Sequence, residues 1–242
     1  RRSRRPRSTS AMLASLPFGK TGFTELDSRM PDHLSLLSLL KHNGYETSFY
    51  YGGDSQFDNM AAFLQKNAVD HIYDVTTFPQ HYEKLPLNDL GFNWGYGDRE
   101  LFRFCLDTPV SREPYCKVLL TVTSHEPFLV PDQQQYFEKF EQRMKTLGLS
   151  EERKEIERKY KRQYATILYA DEAVRQFLHD YAQRPDYNNT IFIITGDHRM
   201  PEIPLNNKLS RYHVPMLIYS PLLNRTAKFS SVGTHLDVTP SL

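Results

Sequence analysis

The sequence predicts an α/β fold in which a mostly parallel central sheet is flanked by helices in three layers. Between His33 and Gly53 a leucine-rich helix pattern is followed directly by an aromatic strand pattern. Three later segments are short, apolar and bounded by polar turns, as strands of a buried sheet are. A long amphipathic segment separates two of them, as a parallel crossover connection requires.

The elements can be placed in order along the chain. Leucines recur from Leu34 to Leu40 and predict a buried helix, which Asn43-Gly44 ends. Tyr45 to Tyr51 predicts the first strand, because it is rich in aromatic residues. Three further strands, each expected to be parallel and buried on both faces, are predicted over Lys117 to Ser124, Thr190 to Gly196 and Val214 to Ser220.

The long charged segment from Gln133 to Arg184 is predicted to be helical. Its second half places apolar residues at three- and four-residue intervals, which indicates one amphipathic crossover helix. In Glu151 to Arg162, ten of the twelve residues are Glu, Lys or Arg, which predicts a solvated helical extension.

Composition limits the classes of function. The 242 residues fit one large domain over residues 11–242, preceded by a basic segment over residues 1–10. Five arginines fall within the first seven residues, and we interpret them as a solvated tail whose only suitable ligands are phosphate or anionic lipid. The formal net charge of +1 gives no general attraction to nucleic acid, so none is expected as a partner.

The two cysteines and the hydropathy exclude further classes of site. Cys105 and Cys116 show no C-x-x-C spacing, so neither a zinc site nor a thioredoxin-like motif is indicated, and a disulfide between them has no support. The sequence contains no run of 18 apolar residues. We therefore expect any membrane anchor to lie in segments outside this chain.

Polar side chains follow three of the predicted strands at the points where the strands end. These are Asp54, His125 and the adjacent pair Asp197-His198. In open parallel sheets, ligands bind beyond the carboxyl ends of the strands, so three separate segments are predicted to bring metal- or phosphate-binding groups to one edge.

The pair Asp197-His198 predicts a metal site. A carboxylate and a neutral imidazole are good ligands for zinc or manganese, and Gly196 permits the turn that aims both inward. The alternative is a loop aspartate that caps the next helix beside an exposed histidine.

His125 has two interpretations as well. It is either a donor to a substrate phosphate or proton carrier for a leaving group, or a loop histidine held by Ser124 or Glu126.

Two further segments supply weaker candidates. Trp94, in WGYGDRELF, either forms a wall of the substrate site or belongs to a turn that leads into a helix with Asp98 near its N-cap. His235, in GTHLDVTPSL, is a weaker substrate-binding candidate, and Asp237 either caps the following short helix or contacts a ligand.

The order of these motifs resembles the lipoteichoic acid synthase and phosphoglycerol transferase group, in the sulfatase-like branch of the alkaline phosphatase superfamily. The resemblance covers roughly residues 11–242 and includes LLSLLKHNGY, YYGGDSQFDNM, WGYGDRELF, TVTSHEPF, YATILYADEAVRQFL, NNTIFIITGDH, HVPMLIYSP and HLDVTPSL.

The resemblance implies a domain on the extracytoplasmic face of the cell membrane, tethered through segments outside this chain. It implies transfer of phosphoglycerol or a related group from a lipid donor to an envelope glycan or glycolipid, through a covalent threonine. The expected cofactor is a divalent metal, Mn²⁺ ahead of Zn²⁺ and Mg²⁺. Asp197 and His198 correspond to the family's Asp-His metal ligands, and His125 to its substrate-phosphate histidine.

Several family elements have no clear counterpart. The strand with the first acidic ligand is expected before residue 1, and the chain is expected to lack the domain's C-terminal end. This stretch alone is therefore expected to be inactive. The nucleophile has two candidates, Ser3 by position and Thr9 by chemistry.

The substrate-binding residues also differ from the family pattern. Asp58 and Met60 stand where the synthases have a tryptophan and an arginine. Arg199, which follows His198 directly, is a candidate phosphate ligand that would compensate for the missing arginine.

These departures keep two other functions open. A binding or regulatory domain that has kept the fold and lost the chemistry would account for the unplaced nucleophile and for the residues at positions 58 and 60. A sulfuric-ester hydrolase is disfavoured, because neither cysteine lies in a C-x-P-x-R context.

Overall fold

The computed structural model describes residues 8–17, 22–204, 207, 210 and 212–242. Within these ranges the chain has the predicted α/β fold, with strands β1 (Glu46–Tyr51), β2 (His71–Tyr73), β3 (Tyr115–Leu120), β4 (Phe192–Thr195) and β5 (Met216–Tyr219). The central strand β1 pairs in parallel with β2 on one side and β3 on the other. Strands β4 and β5 form a separate pair.

The described helices precede, connect and follow these strands. Short 3₁₀ turns add to them, and the α-helices are α1 (Ser8–Ala14), α2 (Leu36–His42), α3 (Met60–Lys66), α4 (Asp98–Asp107), α5 (Gln133–Thr146), α6 (Glu151–Arg158), α7 (Lys161–Tyr181) and α8 (Val238–Ser241). Across the described ranges, no helix combines the length and the apolar content that crossing a bilayer demands.

The predicted helix before β1 is confirmed, and its ends follow from local chemistry. At its start, the Ser35 hydroxyl accepts a hydrogen bond from the Ser38 N–H (3.0 Å), and the Ser38 hydroxyl accepts one from the Ser35 N–H (2.9 Å). At its end, Gly44 takes a φ of +87°, which a residue without Cβ adopts at little cost.

The long helical segment divides into three helices. Helix α6 has no buried residue and is the predicted solvated extension. Helix α7 is the predicted amphipathic helix, and its buried residues Ala165, Tyr169 and Ala173 recur every four residues along one face.

Strands β4 and β5 differ from the prediction. We expected a parallel strand buried on both faces over Thr190 to Gly196, but among the described strands β4 pairs with β5 alone, in antiparallel orientation, and only Phe192 of its four residues is buried. We expected a parallel strand buried on both faces over Val214 to Ser220, but β5 runs antiparallel to β4 and its residues are exposed. A run of apolar residues indicates that a segment tends to be buried, but it does not indicate whether the strand is parallel or antiparallel to its neighbour. The direction is set by pairing, in which Phe192 lies opposite Tyr219 and Thr195 opposite Met216.

The edge strand β2 has no counterpart in the sequence prediction. Its three residues are too few to show an alternating pattern. It forms by pairing with β1, in which Ser48, Phe49 and Tyr50 each lie opposite one of its three residues.

Strand β1 is the centre of the three layers. Its six residues are all buried, and neighbours along it face opposite sides of the sheet. Phe49 and Tyr51 pack against apolar residues of α1, α2 and α3. Tyr50 packs on the other face, against a cluster that includes Leu101 and Phe104 of α4.

An ion pair fixes the end of α2 to the sheet. The Lys41 ammonium donates to Asp70 Oδ1 at 2.7 Å and to the Ala68 carbonyl at 2.7 Å. Asp70 Oδ2 accepts hydrogen bonds from the N–H and the hydroxyl of Thr47 in β1, both at 2.9 Å. One carboxylate therefore joins helix α2, strand β1 and the residues just before β2.

Substituting Asp70→Asn should lower the free energy of unfolding at neutral pH, because a neutral amide attracts Lys41 less. Burial raises the pKa of Asp70, but its hydrogen bonds with Lys41 and Thr47 lower the pKa by more than burial raises it. The net result is a pKa of about 2. The wild type keeps this stabilisation above the ordinary pKa of 3.8 and loses it as the pH falls toward about 2.

Urea unfolding of both proteins across this pH range should show their stabilities converging in acid. Asp32→Asn is the matched control, since the ion pair of Asp32 with Lys66 is solvent-exposed and should contribute little. A constant gap between wild type and Asp70→Asn at every pH would contradict this role for Asp70.

Candidate active site

The loops after β1 and β3 leave the parallel sheet at one edge, and the loop after β4, from the separate β4–β5 pair, meets them there. The rings of His125, after β3, and His198, after β4, lie 5.5 Å apart between centroids. The centroid of the Trp94 ring lies 5.7 Å from that of the His125 ring. Asp54, after β1, lines a cavity that Trp94 also lines. The predicted convergence of the strand ends is therefore present.

The backbone around Asp197 and His198 orients both side chains. The His198 N–H donates to Asp197 Oδ1 at 2.8 Å, and His198 Nδ1 lies 2.7 Å from the Arg199 carbonyl. A carbonyl only accepts hydrogen bonds, so Nδ1 carries the proton and the neutral ring keeps a lone pair on Nε2. That nitrogen lies 3.5 Å from Asp197 Oδ2.

This pair suits a divalent metal in chemistry and in tautomer. Metal-binding histidines commonly donate their other ring N–H to a backbone carbonyl, as His198 does to Arg199. One nitrogen and one carboxylate oxygen are ligands that zinc and manganese accept. Within the described ranges, however, no group of three or more His, Cys, Asp or Glu side chains is suited to hold a metal. The described residues thus offer two candidate ligands, Asp197 and His198.

Three carboxylates make this edge electronegative. Burial raises the pKa of Tyr51, and the charges of Asp197, Asp58 and Asp54 raise it further, to about 12. These carboxylates therefore lie close enough to act together on the Tyr51 hydroxyl at the end of β1. A cation at this edge would be stabilised by the same charges.

A cavity of about 510 Å³ opens beside His125. Trp94 connects the two, since its ring lines the cavity while its Nε1–H donates to the Glu126 carbonyl at 2.7 Å. The cavity combines aromatic walls with a few polar groups, and it is lined by Asp54, Gln56, Phe57, Val75, Lys84, Phe92, Asn93, Trp94 and Gly95. Its volume lies within the range of small-molecule sites, and it is open to solvent.

Two glycines set the distance between the Trp94 segment and β1. The Tyr96 N–H donates to the Gly52 carbonyl at 2.8 Å. A Cβ on Gly52 would lie 2.0 Å from the Tyr96 carbonyl oxygen, and one on Gly95 would lie 2.2 Å from the Gly52 oxygen. The Gly95 φ of +115° also excludes most other residues. Only glycine at both positions permits this approach.

Two buried carboxylates, Asp98 and Asp74, hold these loops. The sequence predicted this anchoring role for neither of them. Asp98 is the first residue of α4 after its N-cap, Gly97. Its Oδ1 accepts hydrogen bonds from the N–H groups of Val122 (3.2 Å) and Thr123 (3.1 Å) and from the Thr123 hydroxyl (2.5 Å). Burial raises the pKa of Asp98 by more than these donors lower it, so the pKa lies above its ordinary value. The loop that carries His125 is anchored here.

Asp74 does the same for the loop after β1. Its Oδ2 accepts from the Ser55 N–H (3.2 Å) and the Ser55 hydroxyl (2.5 Å), and its Oδ1 from the Thr76 hydroxyl (2.6 Å). Ser55 follows Asp54 directly, so Asp74 fixes the backbone beside a candidate substrate residue. The only sequence signal was an aspartate at the end of the strand β2, which had not been predicted.

Arg199 makes local contacts. Its guanidinium donates to the carbonyls of Met200 (2.9 Å) and Ile203 (2.5 Å) from Nη1, and Nη2 lies 3.5 Å from the Pro201 carbonyl. Its Nε is buried without a hydrogen-bond partner in the described part of the chain. These bonds stabilise the turn after His198, so binding of phosphate by Arg199 stays a prediction without a contact in its favour.

His235 lies beside the candidate metal-binding pair, Asp197 and His198. Its Nε2 lies 3.0 Å from the Gly196 carbonyl, so it donates to the residue before Asp197. The capping box of Thr234 and Asp237 starts the turn that carries His235 and shows that Asp237 has the capping role. Substrate binding by His235 stays a prediction.

The two nucleophile candidates have different outcomes. Ser3 lies outside the described residues. Thr9 lies in α1. Two hydrogen bonds hold this helix and the residue after it to the His235 segment. Ser15 Oγ donates to the Leu236 carbonyl (2.7 Å), and Thr239 Oγ1 donates to the Met12 carbonyl (2.8 Å). Helix α1 is therefore near the site, and the role of Thr9 as nucleophile stays a prediction.

Comparison with known proteins identifies the family. The model of the Sulfatase family matches residues 6–242. The chain belongs to the Sulfatase family. Curated relatives include the lipoteichoic acid synthase-like YvgJ of Bacillus subtilis, 22% identical over 93% of this chain and 36% of the relative. Phosphoglycerol transferase I of Citrobacter koseri is 21% identical over 81% of this chain and 24% of its own length.

Solved structures share the fold. The lipoteichoic acid synthase LtaP from Listeria monocytogenes superposes with a TM-score of 0.76 at 18% identity, over 99% of this chain and 59% of that one. An alkaline phosphatase superfamily protein from Vibrio parahaemolyticus gives 0.73 at 21% identity, over 96% and 52%. The chain thus spans between a quarter and three fifths of these relatives. The resemblance to the lipoteichoic acid synthase and phosphoglycerol transferase group is confirmed.

Removal of the Asp98 carboxylate should loosen the His125 loop. Asp98→Ala leaves two buried N–H groups without an acceptor, which should lower the free energy of unfolding by about 2–4 kcal/mol. Thr123→Val tests the same junction, because it removes the hydroxyl that donates to Asp98 and also accepts from the Asp98 N–H at 2.9 Å.

Chemical denaturation measures both variants, with Asp89→Ala as the exposed control. If Asp98→Ala were as stable as that control, the anchoring role of Asp98 would be wrong.

Proposed function

We propose that the protein is a metal-dependent phosphotransferase. It moves phosphoglycerol or a related phospho-group from a lipid donor to a glycan or glycolipid of the cell envelope, on the extracytoplasmic face of the membrane. The observation that carries this proposal is the meeting of the His125 ring with the His198 ring on one hand and with Trp94, which lines the cavity, on the other. The names of the curated relatives, a lipoteichoic acid synthase-like protein and a phosphoglycerol transferase, support the reaction class.

In this proposal Asp197 and His198 hold a divalent cation, Mn²⁺ ahead of Zn²⁺ and Mg²⁺. Such a cation polarises a phosphoryl oxygen and stabilises an alkoxide nucleophile. The prearranged His198 tautomer supports its role as a ligand, because the hydrogen bond of Nδ1 to the Arg199 carbonyl leaves Nε2 as the metal-binding nitrogen of the neutral ring. The carboxylates around Tyr51 add to the attraction for a cation.

His125 contacts the substrate in this proposal. Its ring centroid lies 5.5 Å from that of His198, so a phosphoryl group held near the metal ligands would lie within its reach. The imidazole can donate a hydrogen bond to a phosphoryl oxygen or carry a proton to the leaving group. Asp54 and Trp94 would form walls for the rest of the substrate, and Ser3 or Thr9 would supply the nucleophile.

A second function is a binding domain of the same fold that has lost the chemistry. The observation in its favour is the pair of metal ligands, Asp197 and His198, which have no third carboxylate or imidazole among the described residues. This function requires ligand binding that chelators leave unchanged. The enzyme requires binding or turnover that EDTA abolishes and Mn²⁺ restores.

His198→Ala is expected to weaken Mn²⁺ binding by at least about tenfold, because it removes one of two prearranged ligands. Isothermal titration calorimetry with MnCl₂ measures the affinity. His179→Ala, which removes an imidazole from the last turn of α7, is the matched control and should bind as the wild type does. Equal affinity in both variants would place the metal elsewhere.

His125→Ala is expected to lower the turnover of bis-p-nitrophenyl phosphate by about a hundredfold or more, as loss of an acid–base group does. Mn²⁺ affinity should stay within about twofold, because His125 contacts substrate rather than metal in this scheme. Steady-state kinetics of the whole protein with Mn²⁺ tests it. A wild type that turns over no phosphodiester would favour the binding domain.

A further inference from the structure

A hairpin over residues 84–96 forms one wall of the cavity. Lys84 and Tyr96 form an antiparallel bridge at its base, and the Leu85 N–H donates to the Gly95 carbonyl at 2.7 Å. Nearer the tip, the Asn88 N–H donates to the Phe92 carbonyl at 2.9 Å. The hairpin is therefore hydrogen-bonded along its length.

The tip is a closed turn. The Asn88 side-chain oxygen accepts hydrogen bonds from the N–H groups of Leu90 (3.0 Å) and Phe92 (2.9 Å), and the Gly91 N–H donates to the Asn88 carbonyl at 2.9 Å. Asparagine commonly closes turns in this way. The outward position of Leu90 is thus set by the turn and does not result from fraying.

The tip exposes an apolar surface that continues into the cavity. Leu90 is 91% exposed and Leu87 63% exposed. Phe92 is 45% exposed and also lines the cavity, as does Phe57 of the facing wall, which is 46% exposed. Apolar side chains thus run from the cavity wall to the outermost point of the hairpin, whereas isolated exposed leucines would need no explanation.

We propose that this hairpin tip, Leu87 to Phe92, contacts the surface of a phospholipid bilayer and places the cavity mouth at the level of the headgroups. This inference rests on the proposed function, which requires a lipid donor. A cavity of about 510 Å³ suits a headgroup, whereas two acyl chains exceed it and must leave through the mouth. They would leave past Phe57 and Phe92.

The charges around the tip limit how deep it enters. Asp89, at the turn, is exposed, and a carboxylate does not enter hydrocarbon without large cost. Leu90 and Phe92 can bury apolar surface at the boundary between headgroups and acyl chains while Asp89 stays hydrated. Lys84, on the cavity wall, lies where its ammonium can meet a lipid phosphate.

Trp94 provides the readout, because it is the only tryptophan of the 242 residues and lies on the cavity wall beside Phe92, with ring centroids 5.4 Å apart. Phosphatidylcholine vesicles are titrated into the protein while Trp94 emission is recorded. The wild type should show a shift to shorter wavelength. Leu90→Ser should need about tenfold more lipid for half of that shift, because one leucine no longer enters the bilayer.

Leu222→Ser is the matched control. Leu222 is 60% exposed and follows β5. Because β5 runs antiparallel to β4, Leu222 lies near the start of β4, at the other end of the β4–β5 pair from Asp197. This variant should bind vesicles as the wild type does. A wild type without a shift, or a Leu90→Ser variant that matches it, overturns the inference. A shift that appears on concentrating the protein without lipid assigns the tip to a second copy and also overturns it.

Turnover separates this inference from the proposed function. With Mn²⁺ and vesicles of phosphatidylcholine containing phosphatidylglycerol, Leu90→Ser should show a ratio of lipid turnover to bis-p-nitrophenyl phosphate turnover about tenfold below that of the wild type. An unchanged ratio overturns the inference and leaves the proposed function standing. If neither substrate is turned over, the proposed reaction fails, and the fluorescence titration alone decides whether the tip binds lipid.

Discussion

The parallel pairing of β1 with β3 is the constraint on which the site depends. The two strands run in register from Glu46 opposite Tyr115 to Tyr51 opposite Leu120. Because parallel strands end at the same edge of a sheet, the loop with Asp54 and the loop with His125 must emerge side by side. Reversing either strand would put half of the site on the opposite edge.

Pairing alone leaves the loops free, and buried carboxylates fix them. Asp98 accepts hydrogen bonds from the N–H groups of Val122 and Thr123 after β3, and Asp74 accepts one from the Ser55 N–H after β1. A loop that turns away from a sheet leaves backbone donors without partners, and a buried acceptor supplies them at one point. The same carboxylates therefore satisfy the backbone and hold Asp54 and His125 in place.

The site divides into a polar edge and an apolar mouth. Asp197, Asp58 and Asp54 concentrate negative charge around Tyr51, where a cation would be stabilised. The hairpin wall of the cavity is aromatic and ends in an exposed leucine. Trp94 joins the two regions, since its ring contacts those of both His125 and Phe92. A substrate with a charged head and an apolar tail fits this division.

By itself the sequence determined the fold class, the leucine-rich helix before β1 although not its start, and the strand-end positions of Asp54, His125, Asp197 and His198. These features depend on local periodicity and on neighbours in the chain, which a single sequence displays. The direction of β5, the three-residue strand β2 and the anchoring by Asp74 and Asp98 were decided by the tertiary structure. Each depends on partners distant in sequence, because a strand's direction and a buried carboxylate's donors exist only after the chain has folded.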